Sequence, residues 1–168
     1  MNRKDKNQGF TIIELLIVIV VIGILAAITI VAYNGIQNRA HDSAIQNDLN
    51  SLSKKIQLAK IDSLTGTYPT SFSTSTGLKV SRGAYDVNNN NFYYCLNAVT
   101  DQYALGVASK SGNSFVLTSS GGMTKMENSR IYSSTTCSLV GTTWGGADTY
   151  VALGYDYSNG TGWVSWLN

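Results

Sequence analysis

Histidine is nearly missing from this 168-residue chain, where His41 stands alone. A Ser-His-Asp or Cys-His arrangement would have to be built around that one imidazole. His41 falls in a helical stretch far in sequence from the other polar clusters, so it reads as a solvated or interfacial helix residue. Zinc is equally starved of donors, since the only other soft ligands are Cys95 and Cys137. The chain therefore reads as a non-enzyme, with no catalytic residue, metal or cofactor assigned. Charge is scarce too. Asp, Glu, Lys and Arg make up 13% of residues and leave a net charge of +2, which exerts little bulk pull on nucleic acid. Proline occurs once, at Pro69.

What the chain has instead is a long apolar run. Between Phe10 and Val31, 22 residues, stand sixteen Phe, Ile, Leu and Val. At about 1.5 Å per residue a helix of that length covers the roughly 30 Å hydrocarbon layer of a bilayer. Glu14 lies four positions inside the run, where an acid costs about 3 kcal/mol at mid-bilayer and less near the edge. Sixteen side chains contributing about 0.3 to 0.6 kcal/mol each outweigh it. A retained intramembrane carboxylate is a candidate functional residue on that ground alone. Two bland alternatives stand beside this one: a secretory signal cut near Ala26-Ala27, and an uncleaved signal anchor oriented by Arg3, Lys4 and Lys6.

Helical periodicity outlasts the apolar run. Tyr33, Ile36, Ala40 and Ala44 share one stripe; Ile45, Leu49, Leu52, Ile56 and Ala59 form a second, turned by about 130° from the first. The spacing predicts that the later stripe packs under the chain's own sheet while the earlier one faces other subunits; one broad apolar face is the alternative. Gly35 is the weak point, costing about 1 kcal/mol relative to alanine. Lys54, Lys55 and Lys60 suit the negative end of the helix, which stops at Leu64-Thr65-Gly66.

Ser, Thr, Gly, Asn and Tyr then dominate. Residues 67–91 read as a long connection, 92–99, 103–109 and 114–119 as three strands whose short links imply antiparallel pairing, and Gly121-Gly122 as the end of the third. Arg130 to Tyr132 is too short to assign, and residues 142–168 hold one or two more strands or an ordered loop. The fold class is α+β: a long amino-terminal helix, membrane-spanning in its first half, on a small antiparallel sheet.

Lys6-Asn7-Gln8-Gly9-Phe10-Thr11-Ile12-Ile13-Glu14-Leu15, following a short basic head, resembles the type IV pilin and pseudopilin signature. The resemblance covers about residues 1–40; many relatives carry a proline where this chain has Val31. It implies cleavage between Gly9 and Phe10 by a membrane-embedded prepilin peptidase, methylation of the Phe10 amine, and pairing of Glu14 with a neighbouring subunit's amino terminus. Loss of residues 1–9 would bring the net charge near zero. The implied layout is a leader at 1–9, a membrane or filament-core segment at 10–31, its amphipathic continuation at 32–63, and a globular domain at 64–168. The implied function is a structural subunit of a pilus-like filament. Its partners would be other pilin subunits and an assembly machine, with an inner-membrane pool before export to the surface. The alternative is a competence or minor pilin, or a pseudopilin, whose globular domain binds DNA or another ligand.

On the side of the membrane opposite the basic leader, cysteines meet an oxidising compartment. A Cys95 to Cys137 bridge, which many pilins place similarly, would close a loop of about 43 residues and tie the tail to the first strand; free thiols or a partner in another chain are the alternatives. Asp86, Asn88 and Asn90 copy the start of a calcium loop, but Asn91 and Asn97 replace its glycine and glutamate. That segment and Asp156 to Gly160 read as turns. Lys79, Arg82, Lys110, Lys125 and Arg130, with the aromatic tail, are the residues that could meet nucleic acid, though the charges are scattered.

Overall fold

The computed structural model describes residues 10–73, 76–127, 129–157, 160 and 162–167. Its element order is α1 (Ile12–Asp62), β1 (Phe92–Asn97), β2 (Gln102–Ala108), β3 (Ser114–Thr118), β4 (Met123–Met126), α2 (Ser133–Ser138), β5 (Thr149–Asp156) and β6 (Gly162–Trp163), with a short 3-10 helix at Arg82–Ala84. Two compact units emerge, Met1–Gln37 and Asn38–Asn168.

In the first unit α1 is apolar and every described residue is exposed. β-branched Ile and Val are poor helix formers in water, but a lipid-exposed backbone must satisfy its N–H and C=O groups internally, and a helix does so. Within the apolar run the Thr29 hydroxyl donates to the Ala26 carbonyl at 2.9 Å. Helical structure continues through Val31 and Gly35.

In the second unit Ile45, Leu49, Leu52 and Ile56 are each no more than 1% exposed. Burial of each contributes about 1.5–3 kcal/mol. The sheet is wholly antiparallel in the order β4-β3-β2-β1-β5-β6. Alternation sends Phe92, Tyr94, Leu96, Tyr103, Leu105, Val107, Phe115 and Leu117 into one core with the α1 stripe. The β1–β2 turn places Asp101 at φ 48°, a left-handed conformation that aspartate tolerates. Its carboxylate then accepts from Lys60 Nζ at 2.6 Å and from the Tyr68 N–H at 2.9 Å, so one turn residue holds the end of α1 and the start of the following connection. The bond that Lys60 donates to Asp101 holds its ammonium above the ordinary lysine pKa.

Three features go beyond the sequence reading. Gly121-Gly122 follows the end of β3, as expected, and both take positive φ and turn the chain into β4, which pairs with β3. The 130–138 region contains no strand: Ile131 is buried in a second cluster with Tyr93 and Val116, and Tyr132 is the residue before α2. And α2 packs on the sheet face opposite α1, close enough that a Cβ on Gly106 would lie 2.2 Å from Thr136 Oγ1 and 2.8 Å from Ile131 Cγ1. Its sequence, Ser-Ser-Thr-Thr-Cys-Ser, carries no apolar stripe to announce a helix. The three strands read from sequence agree with β1–β3 to within two residues, and the tail supplies β5 and β6.

Candidate assembly interface

Phe10, 92% exposed, precedes α1, and Thr11 and Glu14 close its first turn reciprocally. The Thr11 N–H and hydroxyl both donate to Glu14 Oε2, at 2.8 and 2.7 Å, while the Glu14 N–H donates to Thr11 Oγ1 at 3.2 Å. This is a capping box, Thr at the cap and Glu three residues on. The Thr-x-x-Glu spacing before an apolar run was available in the sequence as its signal. One carboxylate oxygen carries both bonds, and among the described residues Oε1 accepts none. Glu14 thus has an intrasubunit partner and a free lone-pair face together. Gly9 lies outside the described residues, so the Gly9–Phe10 junction is represented here only by Phe10.

From Ile12 to Ala40 every residue of α1 is exposed; Tyr33 and Ile36 of the earlier stripe are 61% and 66% exposed. The later stripe is buried from Ile45 to Ile56, with Ala59 half-buried. Where burial begins, the fold holds α1 by a group that hydrophobic periodicity does not reveal. Asp42 is 9% exposed, receives the Ser111 hydroxyl and Asn113 Nδ2 (2.7 Å), and lies 3.7 Å from Lys125 Nζ. Burial works to raise its pKa, but the bonds from Ser111, Asn113 and Ser109 and the charge of Lys125 prevail and hold it below the usual aspartate value. Asp48 repeats the device one helical segment on, accepting from the Ser81 N–H at 2.6 Å, the Ser81 hydroxyl at 3.1 Å and Tyr85 OH at 3.1 Å. Burial, together with that carboxylate, pushes the Tyr85 phenol well above its ordinary pKa. His41, next to Asp42, is a half-buried helix residue.

Cys95 of β1 and Cys137 of α2 form a disulfide, both fully buried. The bridge fastens α2 to β1, an inner strand of the sheet. The chain end is locked separately: Arg82 Nη2 donates to the Leu167 carbonyl and its guanidinium lies 5.5 Å from the Trp163 ring. Trp166 packs on Phe72 and Phe92, and Trp144 on Tyr93. Most tail aromatics are therefore packing residues, while Tyr150 and Tyr157 stay exposed. Of the five cations considered for nucleic acid, Arg82 and Lys125 are engaged within the fold. The calcium-like segment is a turn: Asp86 Oδ1 accepts from the Asn88 N–H at 3.0 Å and its amide at 2.9 Å, and Asn90 Oδ1 accepts from the Tyr157 N–H at 2.7 Å. The second candidate turn includes Ser158 and Asn159, outside the described residues.

Comparison with known proteins places this arrangement. The family model described as prokaryotic N-terminal methylation motif matches residues 4–30. The type IV wide pilus major component PilA4 of Thermus thermophilus is 31% identical over 62% of this chain and 75% of its own length. The chain belongs to the type IV pilin family. Among other family members, the type IV major fimbrial protein FimA of Dichelobacter nodosus is 33% identical over 51% of this chain and 55% of its own. Type II secretion system core protein G of Escherichia coli K12 is 33% identical over 47% of this chain, which spans about half, 51%, of that relative's length. No solved structure matches the chain significantly. The pilin fold of an apolar amino-terminal helix joined to an antiparallel sheet is the one described above, and the relatives are structural subunits.

Proposed function

We propose that this chain is the building block of a type IV pilus-like filament, cleaved between Gly9 and Phe10 by a prepilin peptidase, methylated on Phe10, and polymerised through α1. The observation that carries the reading is the division of α1: residues 10–40 are exposed and largely apolar, while the later stripe is consumed by the chain's own core. Nothing in a monomeric water-soluble protein would keep sixteen large apolar side chains in water, and α1 is long and apolar enough to cross a membrane. Residues 10–31 would rest in the cytoplasmic membrane before assembly and among neighbouring helices after it, with 32–63 as the amphipathic continuation and 64–168 as the globular domain. Glu14, with its free oxygen, would face the methylated Phe10 amine of a neighbour, because a carboxylate leaving the lipid edge for a packed core needs a cation. The disulfide agrees with a globular domain on the oxidising side.

The test is mass spectrometry of sheared surface fibres and of the membrane fraction. The expected result is fibres whose bulk polypeptide is this chain beginning at N-methylated Phe10. A mature chain beginning at Met1 or after Ala27, or its absence from fibres, overturns the proposal.

A further inference from the structure

Two adjoining cavities of about 260 and 310 Å³ share Asp86, Ala108 and Arg130 as lining residues. The first is lined also by Asn89, Tyr93, Tyr132 and Tyr157. We propose that this cleft binds a neutral saccharide.

Two features point there. Tyr132 and Tyr157 are 53% and 58% exposed, in a domain that packs most of its other rings into cores. A sugar ring offers an apolar C–H face to such a surface and hydroxyls around its edge. Asp86 spends one oxygen on Asn88 and leaves Oδ2 without a partner among the described residues, and Arg130 has neither hydrogen bond nor ion pair among them. A free carboxylate oxygen accepts from a hydroxyl and a free guanidinium donates to one, so the pair matches a group that does both. Asn91 bonds the backbone of Asp86 and Ala108, which line both cavities. It is fully buried, its Nδ2 donates to the Asp86 carbonyl, its carbonyl accepts from the Ala108 N–H at 2.9 Å, and its Oδ1 is left unpaired. These bonds fix the backbone behind the cleft.

The same chemistry argues against nucleic acid. One cation beside one carboxylate offers no net positive charge, whereas phosphate binding rests on several cations.

The experiment is a titration of the ¹⁵N-labelled full chain in detergent micelles with methyl glucoside, methyl galactoside, methyl mannoside and N-acetylglucosamine. At least one sugar should shift the amides of Asn89, Tyr93 and Tyr132 saturably. Arg130→Ala and Tyr132→Ala, both at exposed positions, should each weaken that binding about tenfold. No saturable shift with any of the four sugars overturns the proposal, as does binding that both variants leave unchanged. An oligothymidylate that shifts the same amides at lower concentration than every sugar also overturns it.

Discussion

Glu14→Ala separates two roles that the geometry gives one side chain. Within the subunit it closes the capping box with Thr11, and loss of such a cap costs about 1 kcal/mol, or about fivefold in an equilibrium. Between subunits it would compensate a buried amine, and removing one partner of a buried pair costs about 3–5 kcal/mol, roughly 150- to 4,000-fold. Insertion should not suffer, since a carboxylate in the bilayer is itself unfavourable by up to about 3 kcal/mol. The expected outcome for Glu14→Ala is normal cleavage and membrane abundance with few or no fibres. Glu14→Gln keeps an acceptor for the Thr11 N–H but lacks the charge, and should restore fibres only in part. Thr11→Ala removes the hydroxyl from the cap while leaving the carboxylate, so its fibre yield should stay within about fivefold of wild type. The assay is sheared-fibre yield beside membrane-fraction abundance for all three. If Thr11→Ala falls as far as Glu14→Ala, the carboxylate acts as a helix cap; normal fibres from Glu14→Ala would mean that apolar packing alone sets assembly. Either result refutes the pairing argument.

Gly9→Val should leave the precursor uncut, seen as a membrane-fraction mass that retains residues 1–9. Replacing both Cys95 and Cys137 by serine should lower stability by about 4 kcal/mol for a loop of 43 residues, read in thermal melts, and alkylation under denaturing conditions should find no free thiol in the native chain. Gly106→Ala should destabilise by about 1–3 kcal/mol through overpacking against Thr136 and Ile131; a melt unchanged from wild type would mean that α2 does not sit where it is placed. The Asp42 pKa is depressed by folding, so its contribution is fully present above the ordinary aspartate value of about 3.9 and is lost as pH falls through the lower folded value. The thermal midpoint of Asp42→Asn should therefore fall less than that of wild type on acidification below about pH 4, and parallel curves would count against the clamp.

What the sequence determined by itself is what local periodicity encodes. The apolar run and the later stripe from Ile45 to Ile56 each depend on residues a few positions apart, and they appear in the structure as the exposed and the buried parts of α1. The antiparallel trio β1–β3 was readable for the same reason, since short links leave a strand little choice but to turn back on its neighbour. The capping box was equally local and was open to reading. What only the tertiary structure decided depends on residues brought together from far apart. Asp42 is an unremarkable polar residue until Ser111 and Asn113, about seventy positions on, arrive to solvate it in place of water. The helix α2 has no apolar stripe; it stands because Cys137 is bonded to β1 and because Gly106 leaves room for Thr136. The tail aromatics could have faced solvent or core, and the choice was made by Arg82 and the rings around Trp163 and Trp166. Nearest-neighbour patterns specify a helix or strand, but long-range polar partners and close approaches exist only once the chain has folded.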